Sequence, residues 1–301
     1  MTIHPSAPID HEAMAATLEA TGDYRVLRRL KPRHMVNPPD GSPTRLGMFL
    51  DLETTGLDPV KDEIIEMAMV PFTYGLDGRI FEIRETFQRL RQPSAPIPPE
   101  ITALTGIDDA MVAGHVIDPA DVARFAGPAA LIVAHNAGFD RKFAERFSDV
   151  FTTKAWACSQ SQIGWAAEGF EGTKLGYLVA GQGLFFDRHR AIHDCLAGIE
   201  LLARPLPKSG ELAMARLLEQ ARRRTCRIWA EHSPYDFKDI LKARGYRWSG
   251  DDHPRPRIWF RDVAEELLDG ELAFLRLEIY QREADIPVTY IAAYDRFSDR
   301  V

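Results

Sequence analysis

The apolar positions of the chain change their period along its length, and the changes mark the elements. Met48 to Leu57 reads as an apolar strand cut by acids at alternate positions, Asp51 and Glu53, and ended sharply by Thr54-Thr55-Gly56. Ile64 to Tyr74 reads as a second strand and Arg79 to Gln88 as a third, with turn signals at Asp58-Pro59-Val60-Lys61-Asp62 and Gly75-Leu76-Asp77-Gly78. Helices are predicted at Glu100–Leu104 and Ala120–Phe125, a buried strand at Leu131–His135 and a helix from Asp140 to about Phe147. A strand at Trp156–Ser159, a helix at Lys174–Ala180 and an apolar-faced helix at Asp194–Leu202 complete this stretch. Three neighbouring strands followed by alternating helices and strands predict an α/β layered domain.

The flanks read differently. Residues 1–45 form an extension: a short helix at His11–Thr21, a strand or helical turn at Tyr24–Leu30, then a loop with too many prolines for regular structure. Its basic cluster, Arg28, Arg29, Lys31 and Arg33, suits either a phosphate backbone or a solvated face. Residues 46–206 hold the layered domain, and 207–224 a linker with a helix from Glu211 to Arg224, whose terminal cations suit the helix dipole. Residues 225–301 read as a small α+β unit: strand Cys226–Ala230, helix Pro234–Ala243, strands at Arg247-Trp248 and Arg257–Phe260, a long amphipathic helix Asp262–Ile279 and a last strand Pro287–Ala292. There Trp229, Tyr246, Trp248, Trp259 and Phe260 interleave with Arg244, Arg247, Arg255, Arg257 and Arg261. Such a pattern makes either the core of a small domain or a stacking platform for single strands.

The acids carry the chemistry. Residues two apart on a strand share a face, so Asp51 and Glu53 project side by side. Carboxylates held that close repel and lose hydration, and a divalent metal between them relieves both. The alternative is an edge strand with a solvated acidic face. Two further acids stand after similar turns: Asp140, behind Leu131-Ile132-Val133-Ala134-His135-Asn136, and Asp194, in His189-Arg190-Ala191-Ile192-His193-Asp194.

Composition narrows the class. The 301 residues, 45% hydrophobic and 27% charged, suffice for one large domain or two smaller ones. No apolar run reaches the roughly 18 residues of a membrane helix, and the N-terminus lacks a signal pattern, so no membrane and a cytoplasmic location are expected. Cys158, Cys195 and Cys226 have no metal-type spacing and read as buried reduced thiols. A net charge of −7 argues against bulk nucleic-acid binding. The average misleads, because Lys and Arg outnumber Asp and Glu roughly two to one between Arg204 and Arg261.

Asp51-x-Glu53 within Leu-Asp-Leu-Glu-Thr-Thr-Gly-Leu, Asp140 at the end of His-Asn-Ala-Gly-Phe-Asp, and Asp194 with His189 five residues before it appear in one order. The set resembles the three motifs of the DEDDh (DnaQ-like) 3′–5′ exonucleases, the family of the epsilon subunit of bacterial DNA polymerase III. The resemblance covers roughly Gly47 to Leu206 and implies a ribonuclease-H-like exonuclease domain, a mixed sheet flanked by helices, ahead of the small C-terminal α+β domain.

It also implies roles. Asp51, Glu53, Asp140 and Asp194 would hold two divalent ions, Mg²⁺ or Mn²⁺, with Asp51 bridging them. His189 would be the general base, and its place in a loop lets it swing in, since five residues of helix would turn it about 140° away. The Tyr-type relatives place their base four residues before the last acid, where this chain has Arg190. His193 reads as structural. Thr54 and Thr55 would offer backbone groups to the 3′ hydroxyl. Leu57 would wedge against the terminal base, or pack in its loop. Pro98 to Ile107, with Thr105, would line the nucleotide pocket, or form a short helix with a Gly stop. Asn136 would contact the substrate and Phe139 pack near it, with His135 either beside the substrate or hydrogen-bonded in the core. The implied substrate is a single-stranded or frayed nucleic acid 3′ end, released as nucleoside 5′-monophosphates, with a DNA polymerase subunit as a partner. Two rivals stay open: an exoribonuclease, and a binding module whose C-terminal unit docks on a polymerase or on nucleic acid.

Overall fold

The computed structural model describes residues 10–250 and 255–301. Asp10 caps α1 (His11–Glu19), its carboxylate accepting the Glu12 and Ala13 N–H groups. The extension then lies against the layered domain: β1 (Arg28–Arg29) pairs in parallel with Leu184–Phe185. Its basic cluster is turned inward on the chain, with Arg28 on Glu12 and Glu19, Arg29 on Asp187 and Arg33 on Glu200. These pairs hold the extension in place, so three of the four cations are already matched.

The main sheet has six strands. β2 (Thr44–Thr54) and β3 (Ile64–Gly75) run antiparallel at its centre, and all twelve residues of β3 are buried. The predicted third strand is two, β4 (Ile80–Ile83) and β5 (Phe87–Leu90), both antiparallel to β3. The break falls where β3 carries Pro71, which has no N–H for a ladder. Three helices follow, α2 (Pro99–Thr105), α3 (Asp109–Val112) and α4 (Pro119–Ala126). Then β6 (Leu131–Ala134) pairs in parallel with β2, α5 (Ala137–Phe147) turns back, and β7 (Trp156–Cys158) pairs in parallel with β6. The strand order β4-β3-β2-β6-β7, with β5 also on β3, makes a mixed sheet flanked by helices, as the resemblance implied.

Alternation along β2 sets which layer each residue meets. Met48, Leu50 and Leu52 enter a core with α4 and α5, while Phe49 enters the opposite core. That second core is closed by α6 (Leu175–Gly181), the short β8 (Leu184–Phe185), α7 (Ala191–Leu202) and α8 (Ala213–Arg222).

The remainder is a four-stranded antiparallel sheet in the order β10-β11-β9-β12, formed by β9 (Thr225–Ala230), β10 (Arg247–Trp248), β11 (Trp259–Ala264) and β12 (Val288–Ile291). A short helix, α9 (Lys238–Ala243), joins β9 to β10. The expected long helix from Asp262 begins three residues later, at Glu265, and is of mixed type. β11 pairs with β9 at six positions through Ala264, so Asp262 is in the strand, ion-paired to Arg227 across it. A 3₁₀ turn at Glu265–Leu267, α10 (Leu268–Phe274) and a π turn at Leu275–Tyr280 then follow one another without a break. Of the interleaved aromatics, Trp229 and Tyr246 are buried and Trp248 is 52% exposed, so the cluster is part core and part surface.

Beyond β12 the chain returns to the main sheet. Trp156 N–H donates to the Ala293 carbonyl at 2.8 Å, and the fully buried Arg141 donates to the carbonyls of Tyr294 and Arg296, each at 2.6 Å. All three cysteines are free and buried. Among the described residues, no helix is long and apolar enough to cross a membrane.

Candidate active site

The site forms where β2 outruns its neighbour. The β2–β6 ladder stops at Phe49↔Val133, and the chain leaves β6 through His135 and Asn136, the latter at φ 90°. β3 stays paired to β2 up to Thr54, so Asp51 and Glu53 sit on a firmly held strand with one open edge. Their face is the one that meets α7. Gly198 lets α7 lie flat there, since a Cβ on it would stand 2.2 Å from the Phe49 ring. Asp194 lies four residues before Gly198 on the same helix face, one turn further along. As Phe49 leads to Asp51 along the strand, Gly198 leads back to Asp194 along the helix. Asp51, Glu53 and Asp194 thus offer oxygen atoms that all lie within 4.8 Å of one another.

Asp140 joins them from the other layer. It sits in the first turn of α5, 2% exposed, and reaches the open edge of β2. It stands outside the tight trio but close enough to raise the Asp51 pKa, second only to burial.

All four acids are reluctant to ionise. Burial, then the charges of Asp140, Asp194, Glu53 and Glu66, hold the Asp51 carboxyl well above the carboxylate range. Burial and Asp194 push Glu53 up to about 8. Burial raises Asp194 to about 6, against the pull of the His189 and Arg190 N–H groups. Burial also raises Asp140, opposed by the main-chain N–H of Asp140 itself and of Leu52. Carboxyl groups crowded this way form a donor set of oxygens alone, and a hard divalent cation such as Mg²⁺ or Mn²⁺ would fit it and offset the repulsion that raises their pKa values.

His189 stands in the loop before α7 at φ 63°, and its N–H donates to Asp194 Oδ2 at 2.9 Å. Burial and the nearby Arg188 lower its pKa below 6.5. The imidazole is half-buried and bonds to no described residue, so the ring is free to take a proton. His193 differs: its Nδ1 meets the Asp187 carbonyl at 3.1 Å, beside the loop.

Glu66 is the residue that motif reading missed. It is fully buried on β3 and accepts from Arg190 Nη2 at 3.1 Å, Ala191 N–H at 3.0 Å and Gln88 Nε2 at 2.7 Å. It pins the start of α7 to the sheet and adds its charge to the cluster. An acid within Ile64-Ile65-Glu66-Met67-Ala68-Met69-Val70 was the available signal, because a buried charge demands a partner.

The remaining expected residues fall into two groups. Leu57 is 83% exposed, which removes the reading of it as loop packing, and Asn136 is exposed at the start of α5. Phe139 is half-buried and packs on Phe143 with ring centroids 5.0 Å apart. The others are committed internally. Thr54 Oγ1 donates to the Gly56 carbonyl at 2.6 Å, while Thr55 N–H donates to the Glu63 carbonyl and its hydroxyl accepts the Glu63 N–H. Of the backbone groups expected at a 3′ hydroxyl, the Thr55 N–H is therefore already taken. Thr105 is buried, its hydroxyl donating to the Ile101 carbonyl and accepting from Ile107 N–H, so it shapes the turn at Gly106. Both ring nitrogens of His135 are engaged, Nδ1 with Ser159 Oγ at 2.9 Å and Nε2 with the Thr173 carbonyl at 2.7 Å, and burial lowers its pKa to about 4. Neutral His135 anchors the turn ahead of α5.

The family model described as Exonuclease (RNase_T) matches residues 48–202. The DNA polymerase III PolC-type of Bacillus subtilis is 32% identical over 173 residues, which is 54% of this chain and 12% of that protein. The DNA polymerase III subunit epsilon-like protein of Rhodobacter capsulatus is 33% identical over 174 residues, 53% of this chain and 23% of that protein. The chain thus spans less than a quarter of the length of either relative. Escherichia coli Exonuclease I, solved in complex with a 5cy-dA13 oligonucleotide, shares the fold at a TM-score of 0.50 and 15% identity, over 73% of this chain and 63% of that one. With the family model covering more than half of its length and its acids converged at the expected strand and helix ends, the chain belongs to the exonuclease family and carries a domain of the DnaQ type.

Proposed function

We propose that the chain is a metal-dependent 3′–5′ exonuclease acting on DNA 3′ ends, with Asp51, Glu53, Asp140 and Asp194 as the metal-holding acids and His189 as the general base. The observation that carries this is the meeting of Asp51, Glu53 and Asp194 within 4.8 Å, with His189 bonded through its own N–H to the last of them. Two divalent ions supply charge neutralisation and orientation at a phosphodiester. The chain's residues do the rest. His189, neutral near pH 7, takes a proton from the attacking water as its oxygen bonds to phosphorus. The bond from phosphorus to the 3′ oxygen of the next nucleotide breaks, leaving a shortened strand with a 3′ hydroxyl and a nucleoside 5′-monophosphate. In this reading Leu57 and Asn136, both exposed, meet the terminal nucleotide.

The names of the polymerase III relatives extend the reading to frayed ends beside a DNA polymerase. The test is single-turnover digestion of 5′-labelled single-stranded DNA, and of an RNA of the same sequence, with Mg²⁺ or Mn²⁺. Stepwise shortening of the DNA, lost in Asp51→Asn, is expected. Equal activity in the variant removes the proposal, and preference for the RNA replaces its substrate.

A further inference from the structure

A cavity of about 830 Å³ lies away from the acid cluster, in the cleft between α5 and α8 on one side and the small sheet on the other. Seven cationic side chains line it against two acidic side chains, Asp262 and Asp299, in a chain whose net charge is −7. The carboxylates do not balance the cations. Asp262 serves both Arg227 and Arg247, and Asp299 is taken by Lys142. Arg216 and Arg223 pair with Glu211 and Glu219. Among the described residues, the Arg296 side chain bonds only to main-chain carbonyls, those of Ala221 and Arg223, which leave its charge in place. Arg224 is exposed and has no hydrogen bond or ion pair among the described residues. The walls are fixed: Arg296, tied to the end of α8, belongs to the same returning segment that Arg141 grips. A fixed concave surface with an excess of one sign of charge focuses potential on a polyanion.

One end of the cleft is Gly138, in the first turn of α5, two residues from Asp140. The cleft therefore begins within one helical turn of Asp140 along α5, on the opposite flank of the helix, so a strand lying in it reaches the acids by rounding the start of α5. We propose that this cleft binds the phosphate backbone of a single nucleic-acid strand upstream of the 3′ end that enters the acid cluster. The inference rests on the exonuclease reading for its occupant. An acidic peptide would use the same charges but has no reason to lead to the carboxylates.

The test uses the full chain in EDTA, where the acid cluster lacks its cations and binding reads the cleft. Anisotropy is measured on 5′-labelled single-stranded DNAs of about 4 and about 16 nucleotides, the span of known single-strand sites, over a range of salt. Wild type should bind the longer strand tighter. Arg224→Glu with Arg247→Glu should weaken the longer strand's binding about tenfold or more and flatten the salt slope by roughly 1.4, at about 0.7 for each phosphate no longer neutralised. Arg224→Gln, at a side chain that supports nothing else, should give a smaller loss of the same kind without changing the melting temperature. Unchanged binding in both variants overturns the inference, as does equal competition by a poly-glutamate peptide of matched charge. Tight cleft-dependent binding with no digestion in Mg²⁺ or Mn²⁺ sinks the exonuclease proposal and leaves the cleft standing.

Discussion

The crowding of the acids gives the metal-free protein a stability that runs against the usual trend with pH. Glu53 titrates near 8 in the folded chain against an ordinary value of 4.5, and Asp194 near 6 against 3.8. An acid whose folded pKa is raised binds more protons folded than unfolded. Stability is then intact below the ordinary carboxylate range and is lost as pH rises toward the folded value. For these two groups the window runs from about pH 4 to about 8. At about 1.4 kcal/mol per pKa step, Asp194 accounts for roughly 3 kcal/mol and Glu53 for roughly 5. The two do not add, because Asp194 is itself a cause of the Glu53 rise. A loss of about 5 kcal/mol corresponds to roughly 10–20 °C in melting temperature for a domain of this size. The assay is thermal melting followed by circular dichroism at several pH values, in EDTA and in millimolar Mn²⁺. In EDTA the melting temperature should fall by about 10 °C or more between pH 5.5 and 8.5. Mn²⁺ should restore most of that at pH 8.5 and little at pH 5.5, where protons already neutralise the site. Glu53→Gln should flatten the EDTA profile. A flat profile for the wild type, or equal stabilisation by Mn²⁺ at both ends of the range, would refute the reasoning.

Three further outcomes are expected. His189→Gln should lower single-turnover hydrolysis by about 10²–10⁴-fold; in wild type the rate should climb with pH through a value below 6.5 and then level, and loss of that limb in the variant checks the base assignment. Glu66→Gln should destabilise the fold by about 2–3 kcal/mol, less than a fully buried pair because the Arg190 side chain is 34% exposed. It should also move the carboxylate titrations to lower pH, read by following metal-free stability across the same range. Gly198→Ala should cost about 1–3 kcal/mol by driving α7 off the Phe49 ring, and should weaken Mn²⁺ binding by calorimetry. Gly270→Ala, with open space around it in α10, is the control that should leave Mn²⁺ binding unchanged and raise stability by up to about 1 kcal/mol through helix propensity.

What was legible in the sequence was whatever depends on local geometry. Asp51 and Glu53 share a face because strands alternate, and that holds whatever the strand packs against. The β–turn–α run from Leu131 to Phe147 carried its own punctuation, so the strand end and the end of the helix bearing Asp140 fell close to where the pattern put them, though that helix begins three residues early, at Ala137. Element type failed where pairing overruled pattern. Asp262 to Ala264 fit a helical period, but six rungs to β9 outweigh a short amphipathic stretch. Hydroxyl and imidazole roles were less legible still, because a polar side chain is used by whichever partner the fold brings up. Thr55 is spent on Glu63 and His135 on Thr173, pairings that no spacing in the sequence encodes. Glu66 shows the opposite case. Its partners were hidden, but its presence in a wholly buried strand required that some exist, and one of them, Arg190, stands where a Tyr-type relative would carry its base. The basic cleft marks the far limit. Its cations come from α5, α8 and the small sheet, and each looks like an ordinary surface charge until the returning C-terminal segment brings them to one wall. Residues that act one by one can be read from a chain, whereas a surface that acts by its sum appears only when the chain is folded.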